Sequence, residues 1–456
     1  MQCPRANREA RGHELHAKLY ALLLFSAMIS LIPPVDATDA VIEYQTVADF
    51  ATNLFTDLAP LVALFGQDVS KQFLSQSIDW WDDILFAMAP VGILTIVLGA
   101  IRVGGHGWLR NIIGRAREPP SVSEAEFLSS TSDDVSEVWN KRGVVRKVDC
   151  NGSIKQILYD DTPGIQTVMS MWEAEFSREP QEQPYITRRD KNQNPLTLPE
   201  DPEIRRNWNL MPPNLTLNAH KPIDNRYPIA TSAVAGIILQ AGVIAFQAVV
   251  NYHLKWTMTE NLVEGYAFPL ASTGTCMVCL GVLICARAIE SCTTEVIWIP
   301  AERTKDEKKN LKVMWVQRGS QEAFASYAIF RVDAKDQMPG DFRPIWGSYQ
   351  TQNPRDINWL NYFVLLGSLL CLIGFPVQFI GLRGLHYSAT LAQLVATGVM
   401  ILIRSVVRNG LSKNPPILPL QKGYELDKVA LLIAGLNSCR PGPRFLYWKE
   451  IDGIKL

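Results

Sequence analysis

The residues best suited to chemistry in this chain are a pair of cysteines in the middle of the sequence. Cys276 and Cys279 form a Cys-x-x-Cys motif, a spacing that can hold a metal ion or support disulfide exchange. The motif lies inside a long apolar run, and no second Cys-x-x-Cys or histidine pair accompanies it, so we interpret both cysteines as small apolar helix residues. The sequence also lacks the HExxH, GxSxG, Walker and Rossmann motifs. We therefore expect no enzyme activity, no cofactor, and no catalytic or metal site.

Polar side chains inside the apolar runs are the next candidates. Four glutamines are candidate intramembrane polar contacts: Gln240, Gln247, Gln378 and Gln393. Polar groups in a bilayer are costly, so they are normally bonded within a helix bundle or placed beside a water-filled path. Packing is favoured over a path, because carboxylates and paired charges are missing from these runs. Arg287 and Arg404 lie near the ends of two runs, where a long side chain can reach the headgroup level.

Five segments are long and apolar enough to be interpreted as membrane spans, and their interiors contain no Lys, Asp or Glu. They are residues 84–101, 229–250, 267–289, 360–382 and 387–407. A bilayer favours helix in each of them, because unpaired backbone groups find no water there. The buried core of a soluble protein is the alternative, but five such runs in one chain argue against it.

The last two apolar runs are joined by a short connection, Arg383–His386, which predicts an antiparallel helix hairpin. Small residues recur along both of them: Gly367, Gly374 and Gly381 at steps of seven, and Ser388, Ala392 and Ala396 at steps of four. Stripes of small residues allow helix backbones to approach closely. We expect the two runs to pack together, with Gln378 and Gln393 bonded to each other across the seam.

Residues 1–37 have the layout of a secretory signal peptide. Basic residues precede a short apolar run over 19–32, and Val35 and Ala37 fit a cleavage site. An uncleaved sixth helix is the alternative, since the leading region is long and carries acidic residues. Residues 38–83 are then placed outside. Their hydrophobic periodicity predicts an amphipathic helix, broken near Pro60, that either lies on a surface or, as we favour, packs on the protein's own spans.

The distribution of positive charge predicts the orientation, because lysine and arginine are retained on the cytosolic side. Most of the 44 Lys and Arg residues lie in three segments: 102–228, 290–359 and the tail 408–456. We therefore expect an N-terminus outside after cleavage and a C-terminus in the cytosol, in a plasma membrane or an endomembrane. Asn151 and Asn214 begin glycosylation sequons but fall in the cytosolic loop, so neither should carry a glycan. The net charge of -1 gives no general attraction to nucleic acid.

Four arginines follow the first apolar run directly and are candidate lipid-headgroup contacts: Arg102, Arg110, Arg115 and Arg117. The glycine-rich turn at 104–107 could hold a phosphate ahead of a helix. However, no strand precedes it and no Lys-Ser or Lys-Thr follows, so a nucleotide site is disfavoured. Two interpretations stay open for the arginines. They contact acidic lipid headgroups, or they serve only to retain this segment in the cytosol.

The cytosolic loops contain strand-like patterns. Gly143–Val148 and Ile154–Tyr159 flank Asn151-Gly152, a strong hairpin signal. Glu295–Ile299 and Leu311–Val316 predict two further strands, whereas residues 176–228 resemble an irregular, proline-rich linker. We expect the strands from the two separate loops to build one small cytosolic β-rich or α+β domain.

Several short stretches carry a family resemblance. They are WWDDILFAMAPVGILTIVLGAIRV (80–103), EAEFLSSTSDDVSEVWN (124–140), CARAIESCTTE (285–295), IGFPVQFIGLRGLHYSATLAQL (373–394) and GYELD (423–427). In these the chain resembles a fungal family of multi-pass membrane proteins of unknown function, some of which carry C-terminal ankyrin repeats. The resemblance implies a membrane protein and supplies no catalytic residues. This chain departs from the family in lacking such a repeat after its last span, and in having Gly104 where members often have Cys.

The sequence as a whole predicts a membrane all-α protein. Five transmembrane helices follow a signal peptide, and the loops form a small cytosolic β-rich domain. The function we expect is that of a non-enzymatic scaffold or sensor, which sits in the lipid bilayer and binds a cytosolic protein partner through its loops. The alternative is a small-solute transporter or channel that uses the intramembrane glutamines.

Overall fold

The computed structural model describes these residues of the chain: 66–77, 79–149, 154–160, 168–175, 184–190, 194–195, 212–219, 226–254, 265–301, 311–319, 324–331, 343–350, 357–407 and 414–438. The predicted signal peptide lies outside them. So do most of the predicted amphipathic segment, including Pro60, most of the predicted linker, and Asn151. The described part of that linker contains a strand, Ile186–Asp190, and a short helix, Leu215–Asn218, so the prediction of an irregular segment is wrong there.

Helices and strands alternate in blocks along the described residues. In chain order the helices are α1 (Gln67–Leu74), α2 (Trp80–Ala87), α3 (Ile93–Gly104), α4 (Gly107–Ile112), α5 (Pro120–Phe127), α6 (Met171–Glu175), α7 (Leu215–Asn218), α8 (Arg226–Ala248), α9 (Ala267–Glu290), α10 (Asn358–Arg383), α11 (Tyr387–Val407) and α12 (Glu425–Ser438). The helix α8 continues as a π-helix over Val249–Leu254. The strands are β1 (Val135–Trp139), β2 (Val144–Val148), β3 (Ile154–Asp160), β4 (Val168–Ser170), β5 (Ile186–Asp190), β6 (Thr293–Pro300), β7 (Leu311–Gln317), β8 (Tyr327–Phe330), β9 (Ile345–Gln350) and β10 (Ile417–Pro419).

Four of the described helices are long and apolar enough to cross a membrane: α8 with its π-helical extension, α9, α10 and α11. The shortest, α11, has 21 residues. At 1.5 Å per residue it is about 32 Å long, which exceeds the roughly 30 Å hydrocarbon core of a bilayer. These helices coincide with four of the five predicted spans, and their composition and length suggest a membrane protein.

The first predicted span, residues 84–101, is not one continuous helix, and the prediction is wrong on this point. The helix α2 ends at Ala87 and α3 begins at Ile93, after Gly92 with a φ of 70°. Pro90 cannot continue a helix, because it lacks an amide hydrogen and its ring clashes with the preceding turn. With 12 residues, α3 is about 18 Å long and too short to cross a bilayer alone.

The antiparallel helices α9 and α10 make the most extensive helix–helix contact among the described residues. A Cβ added to Gly274 would lie 2.5 Å from the Cα of Gln378, and one added to Gly381 would lie 2.6 Å from the Cα of Ala271. Glycine therefore allows the two backbones to touch. The expected pairing of the α10 glycines with α11 is wrong, because the stripe packs on α9 instead.

The described strands form three antiparallel sheets, with the orders β1-β2, β10-β8-β7-β3-β4 and β5-β6-β9. β3 comes from the first predicted loop, β7 from the second and β10 from the tail, yet all three belong to one sheet. Separate loops thus build the β region together, as expected, and the tail joins it. The predicted Asn151-Gly152 hairpin is wrong, since β2 pairs with β1 and β3 pairs with β7.

The five-stranded sheet is covered on both faces. One face contributes Leu158, Val313 and Trp315 to a core that also contains Trp139 of β1. The other face packs beneath the tail, where α12 and the residues before it cover the sheet. Because the tail supplies both an edge strand and this helix, it is part of the folded β region.

The strands are attached to one end of the long helices. The strand β6 begins at Thr293, directly after α9 ends at Glu290. In the same way, α10 follows β9, and β10 follows α11. We call this the sheet end of the bundle. The opposite end, where the Gly384–His386 turn joins α10 to α11, is called the far end.

Candidate functional site

The helices α2 and α3 form a hairpin, Trp80–Gly104, that begins and finishes at the sheet end. Near its start, Asp83 Oδ2 lies 3.7 Å from Arg287 Nη1 in the last turn of α9. At its finish, a Cβ on Gly104 would lie 2.9 Å from Leu360 Cδ2 in the first turn of α10, and 3.6 Å from Cys292 Sγ. The last turn of α9 and the first turn of α10 both lie at the sheet end. The two ends of the hairpin are therefore at the same level of the bundle.

The tip of this α2–α3 hairpin, Met88–Gly92, lies about half-way along the long helices. Gln240 stands at the midpoint of residues 226–254, and its Nε2 donates to the Met88 carbonyl at 2.6 Å. A Cβ on Gly236 would lie 3.0 Å from Met88 Cβ. From α1, Ser70 Oγ donates to the Val91 carbonyl at 2.7 Å. Two side chains thus bind the backbone where the helix is interrupted.

Arg404 of α11 binds the free carbonyl groups at the end of α2. Its Nη2 donates to the carbonyls of Leu85 at 3.1 Å, Ala89 at 2.7 Å and also Phe86. The guanidinium lies 4.9 Å from the centre of the Phe86 ring, and only 4% of the residue is exposed. The last carbonyls of a helix have no partner within it and carry partial negative charge. A buried cation therefore stabilises the interrupted end of α2. The expectation that Arg404 extends to the headgroup level is wrong.

Three of the four predicted glutamines are hydrogen-bonded within the bundle, in two separate places. Gln393 Nε2 donates to Gln240 Oε1 at 3.3 Å, which links α11 to α8 beside the hairpin tip. Gln378 Nε2 donates to Thr275 Oγ1 at 3.0 Å in the α9–α10 seam. The expected bond between Gln378 and Gln393 does not form, because their helices pack on different partners. Gln247 is fully buried, and neither of its amide atoms has a hydrogen-bond partner in the described part of the chain.

The short helix α5 joins the hairpin to the sheets. Arg102, in the last turn of α3, donates to the two oxygens of Glu118 at 2.9 and 2.5 Å and to Glu126 at 2.6 Å. Burial alone would raise the pKa of Glu126, but the hydrogen bond and charge of Arg102 outweigh it and lower that pKa. The expectation that Arg102 contacts lipid headgroups is corrected, since its side chain is buried in these ion pairs.

A second carboxylate of α5, Glu124, lies on the side of the sheets and is 1% exposed. Ser130 Oγ and Ser132 Oγ donate to its two oxygens at 2.9 and 2.8 Å. Burial raises the pKa of Glu124 to about 7, although the serine hydroxyls and the charge of Arg146 oppose the shift. This carboxyl group therefore changes its charge near neutral pH.

Arg146 of β2 continues the contacts into the sheets. Its Nε donates to Glu137 Oε1 at 3.1 Å, and its guanidinium also donates to the carbonyls of Glu124 at 3.2 Å and Ser130 at 2.9 Å. The other oxygen of Glu137 accepts from the Thr216 amide of α7 at 2.7 Å. Ion pairs and hydrogen bonds thus run without interruption from α5 through β1 and β2 to α7. We call α5, Arg102 and Arg146 the joint.

The other predicted arginines lie on or just after α4, and none of them is buried as Arg102 is. Arg115 and Arg117 are exposed and Arg110 is half-buried. Arg115 Nη1 lies 3.8 Å from Glu118, whose oxygens are already bound by Arg102. These three side chains are therefore accessible at the point where the chain leaves the hairpin.

The Cys-x-x-Cys cysteines and the sequon residue Asn214 are the remaining candidates from the sequence. Cys276 is exposed on α9 and Cys279 is partly buried. Within the described residues, no three His, Cys, Asp or Glu side chains are grouped so that they could hold a metal ion. Asn214 is buried: its Nδ2 donates to the Ser129 carbonyl at 3.1 Å, and its Oδ1 accepts from the Ser348 amide at 2.8 Å. The folded protein thus uses this sequon asparagine to close the edge of β9.

Sequence reasoning missed the role of Arg404 and the whole joint. The signals were present as Pro90 and Gly92 within one apolar run, and as acidic residues at 118–126 soon after the arginines. Neither pattern identifies the residues that bind to it. Arg404, for example, is more than three hundred residues from α2 in the chain. No family model matches this chain, and no curated protein or solved structure is significantly similar to it. The site is therefore interpreted from its own geometry.

Proposed function

We propose that this protein is a non-enzymatic membrane scaffold or sensor. Four helices, α8 to α11, cross the bilayer, and the β region at the sheet end faces the cytosol, where it binds a protein partner. The α2–α3 hairpin enters the bilayer from the sheet end and returns to the same side. The joint links this hairpin to the β region.

The hydrogen bonds at the hairpin tip support a re-entrant arrangement. Irregular backbone at membrane depth is tolerated only where protein or water satisfies its polar groups. Gln240, Arg404 and Ser70 supply such partners to the interrupted segment. The two ends of the hairpin lie against Arg287 and Leu360, at one end of α9 and α10.

The pairing of the strands supports the count of four crossings by α8 to α11. The helices α8 and α9 together return the chain to the side it left, and so do α10 and α11. All the segments that supply strands then lie on one side, as one shared sheet requires. The excess of lysine and arginine in these segments makes that side the cytosol.

This topology differs from the five-span expectation at its first span. Residues 80–83 would lie at the cytosolic end rather than outside, because they start a hairpin that does not cross. A fifth crossing would have to precede Gly66. The signal peptide and the external N-terminus stay predictions from the sequence.

The observation that carries the sensor function is the continuity of the joint. Arg102 lies in the last turn of the hairpin, and Glu118 and Glu126 bind it. In α5, which carries Glu126, the Glu124 carbonyl accepts from the β2 arginine, Arg146. A displacement of the hairpin in the bilayer would therefore move α5 and, with it, β1 and β2. Packed elements joined by ion pairs transmit such shifts when they have two stable arrangements.

The second candidate is a small-solute transporter or channel, and one observation favours it. Gln247 is buried in α8 without a hydrogen-bond partner among the described residues. Buried amide groups of this kind usually bind water. Against a solute path, Gln240, Gln378 and Gln393 are all bound to protein groups at helix seams.

Cysteine accessibility tests the topology. A chain without other accessible cysteines receives one cysteine at Ser75, before α2, at Lys141 on the β1–β2 turn, or at Arg383 at the far end. A membrane-impermeant maleimide is added to sealed vesicles of known orientation. The proposal requires Ser75 to react from the same side as Lys141 and opposite to Arg383. Reaction of Ser75 from the Arg383 side would restore the continuous first span and reject the hairpin.

Amide hydrogen exchange tests the sensor. The full chain is reconstituted in short-chain and in long-chain phosphatidylcholine, and the exchange rates of the β1 and β2 amides are compared. The wild type should show a difference between the two bilayers, and Arg102→Gln should abolish it. The matched control, Arg383→Gln, removes an exposed arginine at the far end and should keep the difference. Equal exchange in both bilayers, or an unchanged response in Arg102→Gln, would reject the coupling.

Flux and partner capture separate the two candidate functions. Vesicles containing the wild-type protein should retain small polar solutes, and Gln247→Leu should leave this unchanged. A photo-reactive amino acid at Lys141 should crosslink a cytosolic protein in cells, whereas the same group at Arg383 should not crosslink that protein. Solute flux that is lost in Gln247→Leu would instead establish the transporter.

A further inference from the structure

The short helix α4 lies where the chain leaves the bundle at the sheet end. It begins three residues after Gly104, which packs on Leu360 at the start of α10. Two aromatic side chains at the start of α10, Trp359 and Tyr362, are 52% and 73% exposed. Exposed tryptophan and tyrosine at a helix end are typical of the headgroup level of a bilayer. Given the proposed topology, α4 is therefore at this level.

The surface of α4 is apolar on the side that no protein covers. Trp108 and Ile112 are one helical turn apart, so they share a face, and they are 47% and 72% exposed. Leu109, on another face, is 8% exposed and belongs to the bundle core. A short helix with one anchored face and one exposed apolar face is suited to lie in a membrane interface.

Positive charge lies on α4 and just after it, at Arg110, Arg115 and Arg117. Arg110 and Arg117 form no salt bridge within the described residues, and Arg115 is 3.8 Å from a carboxylate that Arg102 binds at 2.5 Å. Arg110 and Arg117 thus have no carboxylate partner among the described residues, and Arg115 makes only this one long ion pair. Cations near a bilayer that contains acidic lipids bind their headgroups with about 1 kcal/mol each.

We infer that α4 and the segment to Arg117 dock on anionic phospholipid headgroups of the cytosolic leaflet. The inference rests on the proposed topology, because it needs α4 at the membrane surface. Trp108 and Ile112 enter the boundary between headgroups and acyl chains, and the three arginines hold the phosphate and carboxylate groups of the lipids. The surface fixes the end of the hairpin to one leaflet and makes the sensor respond to acidic lipid.

The test measures immersion of α4 in bilayers of defined charge. An environment-sensitive fluorophore is attached at Asn111→Cys in the full chain, with other accessible cysteines replaced by serine. The protein is placed in nanodiscs of phosphatidylcholine with increasing phosphatidylserine, and the blue shift of the emission is recorded. We expect the blue shift to grow with the fraction of phosphatidylserine. At low salt, the phosphatidylserine fraction that gives half of the maximal shift should rise about fivefold for each arginine removed.

Matched charge variants decide the result. The triple variant Arg110→Gln, Arg115→Gln and Arg117→Gln should lose the dependence on phosphatidylserine. A control that removes three exposed cations of the β region, Lys141→Gln, Arg142→Gln and Lys422→Gln, should keep it. Soluble glycerophosphoserine in excess should not reverse the shift, because it offers no apolar boundary for Trp108.

The inference is overturned if emission does not depend on phosphatidylserine, if the triple variant behaves as the wild type, or if glycerophosphoserine competes. In the first two cases the arginines serve only to retain the segment in the cytosol. Size-exclusion profiles confirm that each variant is folded. Failure here with Ser75 still labelled from the cytosolic side would leave the proposed topology intact, so the two failures are distinguishable.

Discussion

Two helix seams in the described part of the bundle are held together by different means. In the α9–α10 seam, backbones meet at glycines such as Gly274 and Gly381, and Gln378 makes a single side-chain bond. In the seam between the α2–α3 hairpin, α8 and α11, Gln240 and Arg404 bind backbone carbonyls directly. The first seam depends on the absence of side chains, and the second depends on particular polar atoms.

The difference follows from what each seam must achieve. Two continuous helices satisfy their own backbone groups, so in lipid they need only close packing to associate. An interrupted helix leaves carbonyls without partners, and unsatisfied buried groups cost about 1–3 kcal/mol each. The hairpin seam must therefore supply partners from other helices. It is for this reason the more sensitive of the two to single substitutions of polar residues.

Removal of Arg404 should have the largest effect. Arg404→Met leaves the carbonyls of Leu85, Phe86 and Ala89 without their donor and should lower the free energy of unfolding by about 3–5 kcal/mol. Arg383→Met removes an exposed arginine at the far end and should change it by less than about 0.5 kcal/mol. Unfolding in mixed micelles measures both. Exchange at residues 85–89 should rise in Arg404→Met while α9 and α10 stay protected, and a uniform rise would contradict the separation of the seams.

A methyl group in the glycine seam should have the next largest effect. The Cβ of Gly274→Ala would lie 2.5 Å from the Gln378 Cα, so α9 and α10 must move apart, at about 3 kcal/mol. Gly242→Ala on α8 is the matched control, because its Cβ meets nothing within 4 Å and alanine favours helix. The same unfolding measurement compares them. Equal stability of the two variants would show that the α9–α10 contact is looser than described.

The same contrast explains which parts of the fold could be predicted from the sequence. The helices α8 to α11 could be predicted, because each coincides with one long apolar run in the sequence. The stripe of Gly367, Gly374 and Gly381 was also visible, but its partner was not, because α11 offered small residues too. Gly274 and Gly281 on α9 repeat at the same step of seven and were the missed signal.

The other parts of the fold depend on contacts between segments that are distant in the chain, and these contacts could not be predicted from the sequence. Asn151-Gly152 favours a local hairpin, yet β3 gains a longer partner in β7, more than 150 residues away, and β2 pairs with β1. Among the candidate site residues, Arg102 was predicted to contact lipid headgroups, and its actual partners, Glu118 and Glu126, were not predicted. Positive charge near a membrane suggests a contact with lipid headgroups, and only the fold shows that Glu118, just before α5, and Glu126, in α5, bind this arginine.

The joint should make the hairpin side of the molecule dependent on pH. The pKa of Glu124 rises from 4.5 to about 7 on folding, so the folded state binds more protons between these values. Its contribution to stability is therefore full below pH 4.5 and is lost as the pH rises through 7, by roughly 3 kcal/mol. Exchange of the β1 and β2 amides should accelerate over this range. In Glu124→Gln the acceleration should vanish, and its persistence would assign the titration to another group.

The smallest expected effects are the losses of stability when one glutamine of each seam is replaced by leucine. Gln240→Leu removes the donor to the Met88 carbonyl and the acceptor for Gln393, so two buried groups lose a partner, at about 1–2 kcal/mol. Gln378→Leu removes one bond to Thr275, whose hydroxyl still donates to the Ala271 carbonyl at 2.7 Å, so the loss should be below about 1 kcal/mol. Both variants insert the same leucine into a bilayer, which cancels the gain from a more apolar side chain. If Gln378→Leu proves the more destabilising, the α9–α10 seam depends on polar bonds as well, and the contrast between the seams fails.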